Sequence, residues 1–413
     1  MVHFEIPLDI PDVRILATEI TREGDFMITV ESTVEGATCH KCGGRSDKSY
    51  GHDREITLRH LPILGRKTFI RIRPKRYQCV CCDGQPVTTQ QAAWYDRRSP
   101  HTKAYETYVL LNLVNSTVAD VSRREALGYE AVMGMIDRHV ATGVDWDGFE
   151  RIEVLGIDEI ALKKGHKDFV TVVTSRSRES GIRLLAVLKD RKKATVKAFF
   201  SSIPRRLQKT IGSVCSDLYD GFIQAAKEAF GNQVKVVADR FHVAKLYRKG
   251  LESLRKKEMR RLHKTLSAEG YRELKGVMWI LRKDSKQLTP EEQAKLNRLF
   301  GYSPELGAAY VLSTVLSRIF DENLSVMQAK EKLGAWKAIV EESSIDCFDS
   351  FLLTLDARMD EIANYFSERH SSGFVEGLNN KIKVIKRRCY GIFNINHLFQ
   401  RIRIDLEGYA LFA

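Results

Sequence analysis

Three aspartates, each placed where an apolar run gives way, are the first residues in this chain that could do chemistry. Asp158 follows "VLGI", Asp217 follows "IGSVCS" and Asp239 follows "VKVVA". A carboxylate at the tip of a buried strand has to be hydrated, paired or bound to a cation. A solvated turn acid accounts for any one of them taken singly, and Glu159 beside Asp158 reads as a helper or a surface acid. Together with Glu376 in "SSGFVEGLNNKIKVIKRR" they form a set that could converge at one edge of a sheet. Divalent metal is the reason to gather them. Two hard cations about 4 Å apart, held by carboxylates, activate water and stabilise a leaving oxygen in phosphodiester chemistry. Without cations, clustered carboxylates repel and one of them takes up a proton. His242 stands three positions after Asp239 and could donate to a scissile phosphate while Asp239 orients it. A purely structural pair at the mouth of a helix is the alternative.

The second group is sulfur. Five of the eight cysteines fall in Cys39-His40-Lys41-Cys42 and Cys79-Val80-Cys81-Cys82. Two tight turns presenting four thiolates suit the tetrahedral preference of zinc, so a structural site from Cys39, Cys42, Cys79 and Cys82 is expected. Cys81 competes with Cys82 for the last place, and His40 and His52 read as exposed. No run reaches the 18 or so apolar residues of a membrane span, since "GAAYVLSTVLSRIF" is interrupted by Arg318. The opening "MVHFEIPLDIPDV" lacks the pattern of a secretion signal. The expected place is a reducing cytoplasm, where cysteines serve as metal ligands or buried thiols rather than disulfides.

These groups need elements to hold them. Alternating runs "VRILATEI", "DFMITVES" and "RKTFIRIRPKRYQC" flank the cysteines and predict a strand-rich ribbon. After about Ser99 the pattern turns helical. "HTKAYETYVLLNLVNSTVADVSRREALGYEAVMGMIDRHV" reads as three helices, with Ser116-Thr117 as a cap, Val118, Val121 and Leu127 on one face, and Gly128 at a turn. Val132, Ile136 and Val140 then share a stripe at helical spacing. Helix, short turn and second helix is the plan that enters a major groove, which makes Arg123, Arg124 and Tyr129 candidate DNA contacts; an ordinary helical hairpin has a similar pattern. From Ile152 to Ala238 five strand candidates ("IEVLGI", "FVTVVTS", "RLLAVL", "IGSVCS", "VKVVA") surround two helices, the mark of an α/β core with a mixed sheet. From about Ala244 to Phe366 the chain is nearly all helix-like, and "AKLYRKGLESLRKKEMRRLHKTL" has a basic face that is either solvated or a nucleic-acid contact. Lys381, Lys383, Lys386, Arg387 and Arg388 follow Glu376 on one further helix as a candidate phosphate-binding face.

Among 413 residues, 43% are hydrophobic and 29% charged, as in ordinary soluble proteins, but the net charge is +13. That surplus favours a polyanionic partner, nucleic acid before an anionic membrane.

The ordered set Gly156-Ile157-Asp158-Glu159, "VCSDLYDGF", "DRFHV" and "FVEGLNNKIKVIKRRCYG" resembles the ISL-three family of bacterial insertion-sequence transposases. "RHLPILGRKTFIRIRPKRYQCVCC" is similar to that family's N-terminal zinc-binding segment. The resemblance covers almost the whole chain, and the combination is specific where each motif alone is weak. It implies an Asp-Asp-Glu enzyme with Asp158 and Asp217 as the aspartates and Glu376 as the glutamate. Asp239-x-x-His242 resembles a motif of this family and of Mutator-type relatives. A helical insertion in the family fits the gap of 159 positions from Asp217 to Glu376. Ser372 departs from an expected Asn and Cys389 from a small residue; neither is one of the acids.

The resemblance sets these expectations. The fold is a ribonuclease-H-like α/β core with a large all-helical insertion, preceded by a zinc ribbon and a helix-turn-helix domain. The ribbon would occupy 1–95, the helix-turn-helix 96–148, the first part of the core 149–243, the insertion 244–368 and the C-terminal part of the core 369–413. The reaction would be cleavage at terminal inverted repeats and transfer of 3′-hydroxyl ends to target DNA. Magnesium (or manganese) would sit at the acids and zinc in the ribbon. The partners would be double-stranded DNA and further copies of the chain, as a homodimer or larger assembly, at the bacterial nucleoid. A silent DNA-binding regulator and a structure-specific nuclease on the same core are the rival readings.

Overall fold

The computed structural model describes residues 7–162, 169–177, 181–283, 285–368 and 373–413, without the side chains of 285, 368 and 373–376. The chain divides into two compact units, one comprising the residues up to Ala141 together with Arg403–Ala413, the other Thr142–Ile402.

In the first unit, β1 (Val13–Ile20) and β2 (Phe26–Ser32) form a hairpin. β3 (Ala37–Thr38) and β4 (Arg45–Ser46) bracket the first cysteine pair, and β5 (Lys48–His52) follows. β6 (Ile56–Ile63) and β7 (Arg66–Ile72) complete a four-stranded sheet of order β1-β2-β7-β6. Period-two alternation turns Ile28, Val30, Leu58, Ile70 and Ile72 inward, onto Trp94 and Tyr95. β8 (Lys75–Gln78) and β9 (Val87–Thr89) join β5 in a second small sheet, with Cys79–Cys82 in the turn between them. The run "RKTFIRIRPKRYQC" is therefore two strands, β7 and β8, separated at Pro74, which has no N–H to give to a ladder. Three helices follow, α1 (Lys103–Asn112), α2 (Val118–Glu125) and α3 (Tyr129–His139). Val118, Val121, Val132, Ile136 and Val140 are all buried in their common core.

The second unit is built on five strands: β10 (Val154–Ala161), β11 (Phe169–Ser177), β12 (Gly181–Leu188), β13 (Ser213–Ser216) and β14 (Lys235–Ala238). Their order is β12-β11-β10-β13-β14. The first three pair antiparallel, while β13 and β14 run parallel to β10. This is the ribonuclease-H-like arrangement. One face packs on α4 (Lys193–Ser202), the short α5 (Arg205–Gln208) and α6 (Asp220–Phe230), burying Phe200, Leu207, Phe222 and Ile223.

α7 (Arg240–Thr265) starts directly after β14 and carries the chain into a helical assembly. The assembly continues through α8 (Ala268–Glu273), α9 (Val277–Ile280), α10 (Pro290–Tyr302), α11 (Pro304–Asp321), α12 (Val326–Glu342) and α13 (Asp349–Ala363) to α14 (Tyr365–Glu368). Its core surrounds Trp336, Phe348 and Phe351, and Tyr247 of α7 meets Phe351 edge-on at 5.6 Å. α7 is one continuous helix through 243 and 244, so the helical region grows out of the core without a linker. α15 (Gly373–Arg388) returns to lie against β10, and α16 (Ile395–Phe412) ends the fold.

Candidate active site

The register of three strands decides where the acids stand. β10 pairs with β13 up to Ile157–Ser216, and β13 with β14 up to Ser216–Ala238. The next residue of each strand is Asp158, Asp217 and Asp239, a single row of carboxylates across neighbouring chains. Asp217 and Asp239 follow the last residues of their strands, as expected. Asp158 does not end its strand: β10 continues to Ala161 against β11, with Asp158 opposite Val172. β10 has a partner on each side and only the β13 side stops there.

Each carboxylate is held by the local backbone. Asp158 Oδ1 accepts from the Glu159 N–H at 2.7 Å, and Asp217 Oδ1 from the Tyr219 N–H at 3.0 Å. Asp239 caps α7, its Oδ1 accepting from the Phe241 N–H at 2.8 Å and its Oδ2 meeting His242 Nδ1 at 2.9 Å. Asp239 is 6% exposed while the His242 side chain is 29% exposed, so the pair is buried at the carboxylate and open at the imidazole. Glu159 Oε2 binds Arg191 at 3.0 Å, and that guanidinium lies 4.9 Å over the Tyr219 ring.

Burial is the main force on these groups. It pushes the Asp158 carboxyl up to about 6, with Asp217 and Asp239 adding like charge and His242 opposing. Asp217 is raised as well, again mainly by burial. His242 is raised by its hydrogen bond to Asp239 and then by the surrounding carboxylates. A desolvated row of hard oxygen donors with uncompensated like charge fits a divalent cation. The row is looser than a closed ligand cage: among the described residues, the four cysteines alone form a group of three or more that could hold a metal.

α15 brings a residue that inspection of the sequence missed. Asn379 is 4% exposed, donates from Nδ2 to Asp158 Oδ2, and leaves its buried Oδ1 without a hydrogen-bond partner among the described residues. The one signal for it was position, three residues after Glu376 and hence on the same helical face. Glu376 itself lies on α15, and its side chain is outside the described residues, as is Ser372. Lys386 is not part of an exposed basic face. Its Nζ reaches the Ala161 carbonyl at the end of β10, and burial lowers its pKa. Lys381, Lys383 and Arg387 are exposed, and Arg388 is half-buried.

The cysteines close into one cluster. All four Sγ atoms lie within 4.8 Å of one another, with Cys39–Cys82 at 4.0 Å and Cys42–Cys79 at 3.8 Å. A tetrahedron with Zn–S bonds of about 2.3 Å has edges of about 3.8 Å, close to the two shorter separations, so the four donors are gathered on the scale that zinc needs. Cys82 holds the fourth corner; Cys81, next to it, points out to solvent. As bare thiols they are mismatched. Backbone N–H donation at Cys81 draws Cys79 down to about 6, while the neighbouring thiol of Cys42 drives Cys82 up to about 12. His40 and His52 are exposed and outside the cluster.

In the helical trio, Thr117 caps α2 by accepting from the Asp120 N–H at 3.0 Å. Gly128 is not the left-handed residue of the turn: it has φ −67° and caps α3, while Ala126 takes φ 49°. Glu125 fastens the turn to the ribbon through Arg59 Nη1, which donates to its carbonyl at 2.5 Å, and to α1 through Tyr105, which donates to its carboxylate at 3.0 Å. Buried Glu106 ties α1 to α3 through Arg138 and His139, both at 2.5 Å. Arg123 is exposed, as is Tyr129 at 53%. Arg124 is also exposed, and donates to the Asn112 carbonyl at 3.2 Å and Ser116 Oγ at 3.3 Å.

Compared with known families, residues 155–402 match the ISL3-type model described as "Transposase". The chain belongs to the ISL3 transposase family. Residues 35–82 of this transposase match the zinc-finger of transposase IS204/IS1001/IS1096/IS1165, and residues 90–140 match the helix-turn-helix domain of transposase family ISL3. The cysteine cluster is thus a structural zinc site, and the helical trio a DNA-binding domain. The transposase is 27% identical over 385 residues to the transposase for insertion sequence element IS1001 of Bordetella parapertussis, covering 93% of this chain and 92% of the relative. It is 24% identical over 393 residues to the transposase for insertion sequence element IS1557 of Mycobacterium tuberculosis, covering 90% and 87%. Among solved structures, the Drosophila P element transposase strand transfer complex aligns with TM-score 0.43 and 12% identity, over 77% of this chain and 93% of that one. As an Asp-Asp-Glu transposase, the protein is a DNA-cleaving enzyme that works with divalent metal.

Proposed function

We propose that the transposase binds the terminal inverted repeats of its element through α2 and α3, and cuts and joins DNA at Asp158, Asp217 and Glu376. The observation that carries this reading is the single row of Asp158, Asp217 and Asp239 across three strands, with burial raising the Asp158 carboxyl to about 6 and raising Asp217 as well. A pair of divalent cations, magnesium by choice, would supply acidification of water and neutralisation of the charge that builds on the phosphate and the departing 3′ oxygen.

Asp158 and Asp217 offer oxygens at the β10–β13 boundary, and Glu376, on the helix that lies against β10, would be the third ligand. Asp158, raised to about 6, would have to be ionised to hold a cation, so binding there would be linked to deprotonation below about pH 6. Backbone N–H groups of Glu159 and Tyr219 fix one oxygen of each aspartate. His242, oriented by Asp239, donates to a non-bridging phosphate oxygen. After the first cut, the freed 3′-hydroxyl attacks target DNA in the same pocket. Joining two ends in one event calls for a dimer or larger assembly on DNA, and Lys381, Arg387 and Arg388 would track the phosphates beside the acids.

The test is Asp158→Asn on a labelled terminal-repeat duplex. Metal-dependent cleavage should fall roughly a thousandfold, the equivalent of several kcal/mol of lost charge stabilisation, with binding unchanged. Persistent cutting would show that the acid has been misassigned. Absence of cutting by the unaltered protein on cognate ends would favour a regulator.

A further inference from the structure

The helical assembly carries a charge concentration that the active site does not use. Residues 240–302 contain 17 Lys and Arg against 7 Asp and Glu, so ten of the chain's thirteen net positive charges fall in this one stretch. On α7 they are sorted by face. Val243, Tyr247, Leu251, Leu254, Glu258 and Leu262 are buried. Lys245, Lys249, Lys256, Lys257, Arg260 and Lys264 are exposed, and at 100° per residue they fall within one 120° arc on the opposite side. From Lys245 to Lys264 this face is about 28 Å long, enough to follow roughly eight base-pair steps of a strand. Arg255 and Arg261 on the same helix are neutralised by Glu252 and Glu258, at 2.6 and 2.7 Å. Within the exposed set, and among the described residues, only Lys256 has a carboxylate within 4 Å, Glu252 at 3.7 Å.

Beside this face stands an aromatic ring that the core does not need. Trp279 on α9 is 64% exposed, whereas Trp94 and Trp336 are 8% and 1% exposed. The Arg282 guanidinium lies 5.5 Å from its ring centroid and reaches Glu252 at 3.9 Å, the carboxylate that also meets Lys256. Trp279 is therefore linked to the basic face through Arg282 and Glu252. A cavity of about 440 Å³ lies among α7, α8 and α9, lined by Arg255, Tyr271, Arg272, Lys275 and Met278 among others. A planar ring with cations on its border and a basic track alongside is the combination that holds unpaired nucleic acid, where bases stack on aromatics and phosphates follow the charge.

We propose that α7 and Trp279 form a second DNA-binding surface, separate from the helix-turn-helix, which grips unpaired DNA: the backbone lies along the Lys245–Lys264 face and one unstacked base sits on Trp279. Strand cleavage creates such ends, so this surface would retain the cut product. The inference rests on the DNA-binding character of the transposase and not on the assignment of its acids. Its test reads binding without cleavage and can fail while Asp158→Asn behaves as expected.

Full-length protein, in buffer without added magnesium, is titrated against a fluorescent 30-base-pair blunt duplex and against the same duplex with a short 3′ single-stranded tail. The unaltered protein should prefer the tailed DNA. Trp279→Leu, which keeps apolar bulk and loses the planar face, should weaken the tailed complex about ten- to hundredfold and leave the blunt one within twofold, and Trp279→Phe should recover most of the loss. Replacing Lys249, Lys256 and Arg260 together by Ala should weaken both complexes and reduce the slope of log affinity against log salt by between about two and three. Zinc content and thermal midpoint serve as the check that each variant is folded. No preference for the tail, equal weakening of both DNAs by Trp279→Leu, or an unchanged salt slope in the triple variant would each overturn the proposal.

Discussion

The carboxyl of Asp158, raised to about 6, keeps a proton in the fold at pH values where the unfolded chain, titrating near 3.8, has already lost it. Between those values the folded state binds more protons, so stability falls as pH rises from about 4 to about 6, and the full penalty stands above that. Two pH units correspond to about 3 kcal/mol as an upper bound from this one group. Asp217 is raised and acts in the same direction. His242 is raised too; its contribution is complete below 6.5 and fades as pH climbs through its higher folded value. All three make the cation-free site costlier toward pH 8, where cations would offset the cost. Magnesium should therefore raise the thermal midpoint by several degrees at pH 8 and by almost nothing at pH 5, and Asp158→Asn should flatten the pH dependence measured without it. Asn379 belongs to the same scale. Its amide steadies Asp158 Oδ2 from α15, so Asn379→Leu should raise the magnesium concentration for half-maximal cleavage severalfold while cleavage at saturating magnesium largely recovers. Loss at all magnesium concentrations would mean that the side chain does more than position the aspartate.

At the level of elements, what could be read in advance tracked how strongly each segment's own pattern spoke. The five core strands, α4, α6 and the three helices after the ribbon all announce themselves as apolar runs or helical stripes. β6 escapes the pattern because "ITLRHLPI" carries His60 at an inward position where alternation wants an apolar residue, and Pro62 within the run. His60 is nonetheless 3% exposed, satisfied by Thr102 at 2.9 Å and the Leu8 carbonyl at 3.1 Å, partners remote in sequence. Asp158 looked like a strand tip because one chain cannot reveal that only one of its two neighbours stops there. Asn379 had no mark beyond its spacing from Glu376. Cys81 against Cys82 was undecidable from spacing, and the turn geometry decides it. Cys82→Ser should lose zinc from purified protein and melt the ribbon early, while Cys81→Ser keeps a full equivalent of metal; the reverse result would reassign the fourth ligand. Gly250 stands in the middle of α7, where glycine is a poor helix former. A Cβ there would lie 2.0 Å from the Cys347 carbonyl oxygen, so the glycine lets α7 pack onto the turn before α13. Gly250→Ala should cost about 1–3 kcal/mol or more, because neither backbone can yield easily, and this would appear as a lower denaturant midpoint.

For the whole molecule, the chain's path matters as much as its parts. It builds the ribbon and helical trio first, leaves to build the catalytic unit, and returns at Arg403–Ala413 to finish the first unit. The returning segment is integral to that core. Ile404 is fully buried with the residues of α1 to α3, and Asp405 accepts from the Asn115 N–H at 2.9 Å, at the turn that leads into α2. Arg403 donates to the Ala141 carbonyl at 3.1 Å, and Gly408 allows a close approach in which a Cβ would meet Val114 at 2.6 Å. The DNA-binding helices therefore depend on residues 290 positions later in sequence, and a fragment ending near Ala141 lacks part of its own core. Ending the chain after Ile402 removes one fully buried isoleucine, worth about 2–5 kcal/mol by analogy with large-to-small replacement, together with one capping carboxylate. That truncated protein should lose repeat-specific DNA binding and show faster amide exchange across α1 to α3, while β10 to β14 stay protected. If α1 to α3 exchange as slowly without the last eleven residues as with them, the first unit is self-sufficient and the return of the chain is incidental.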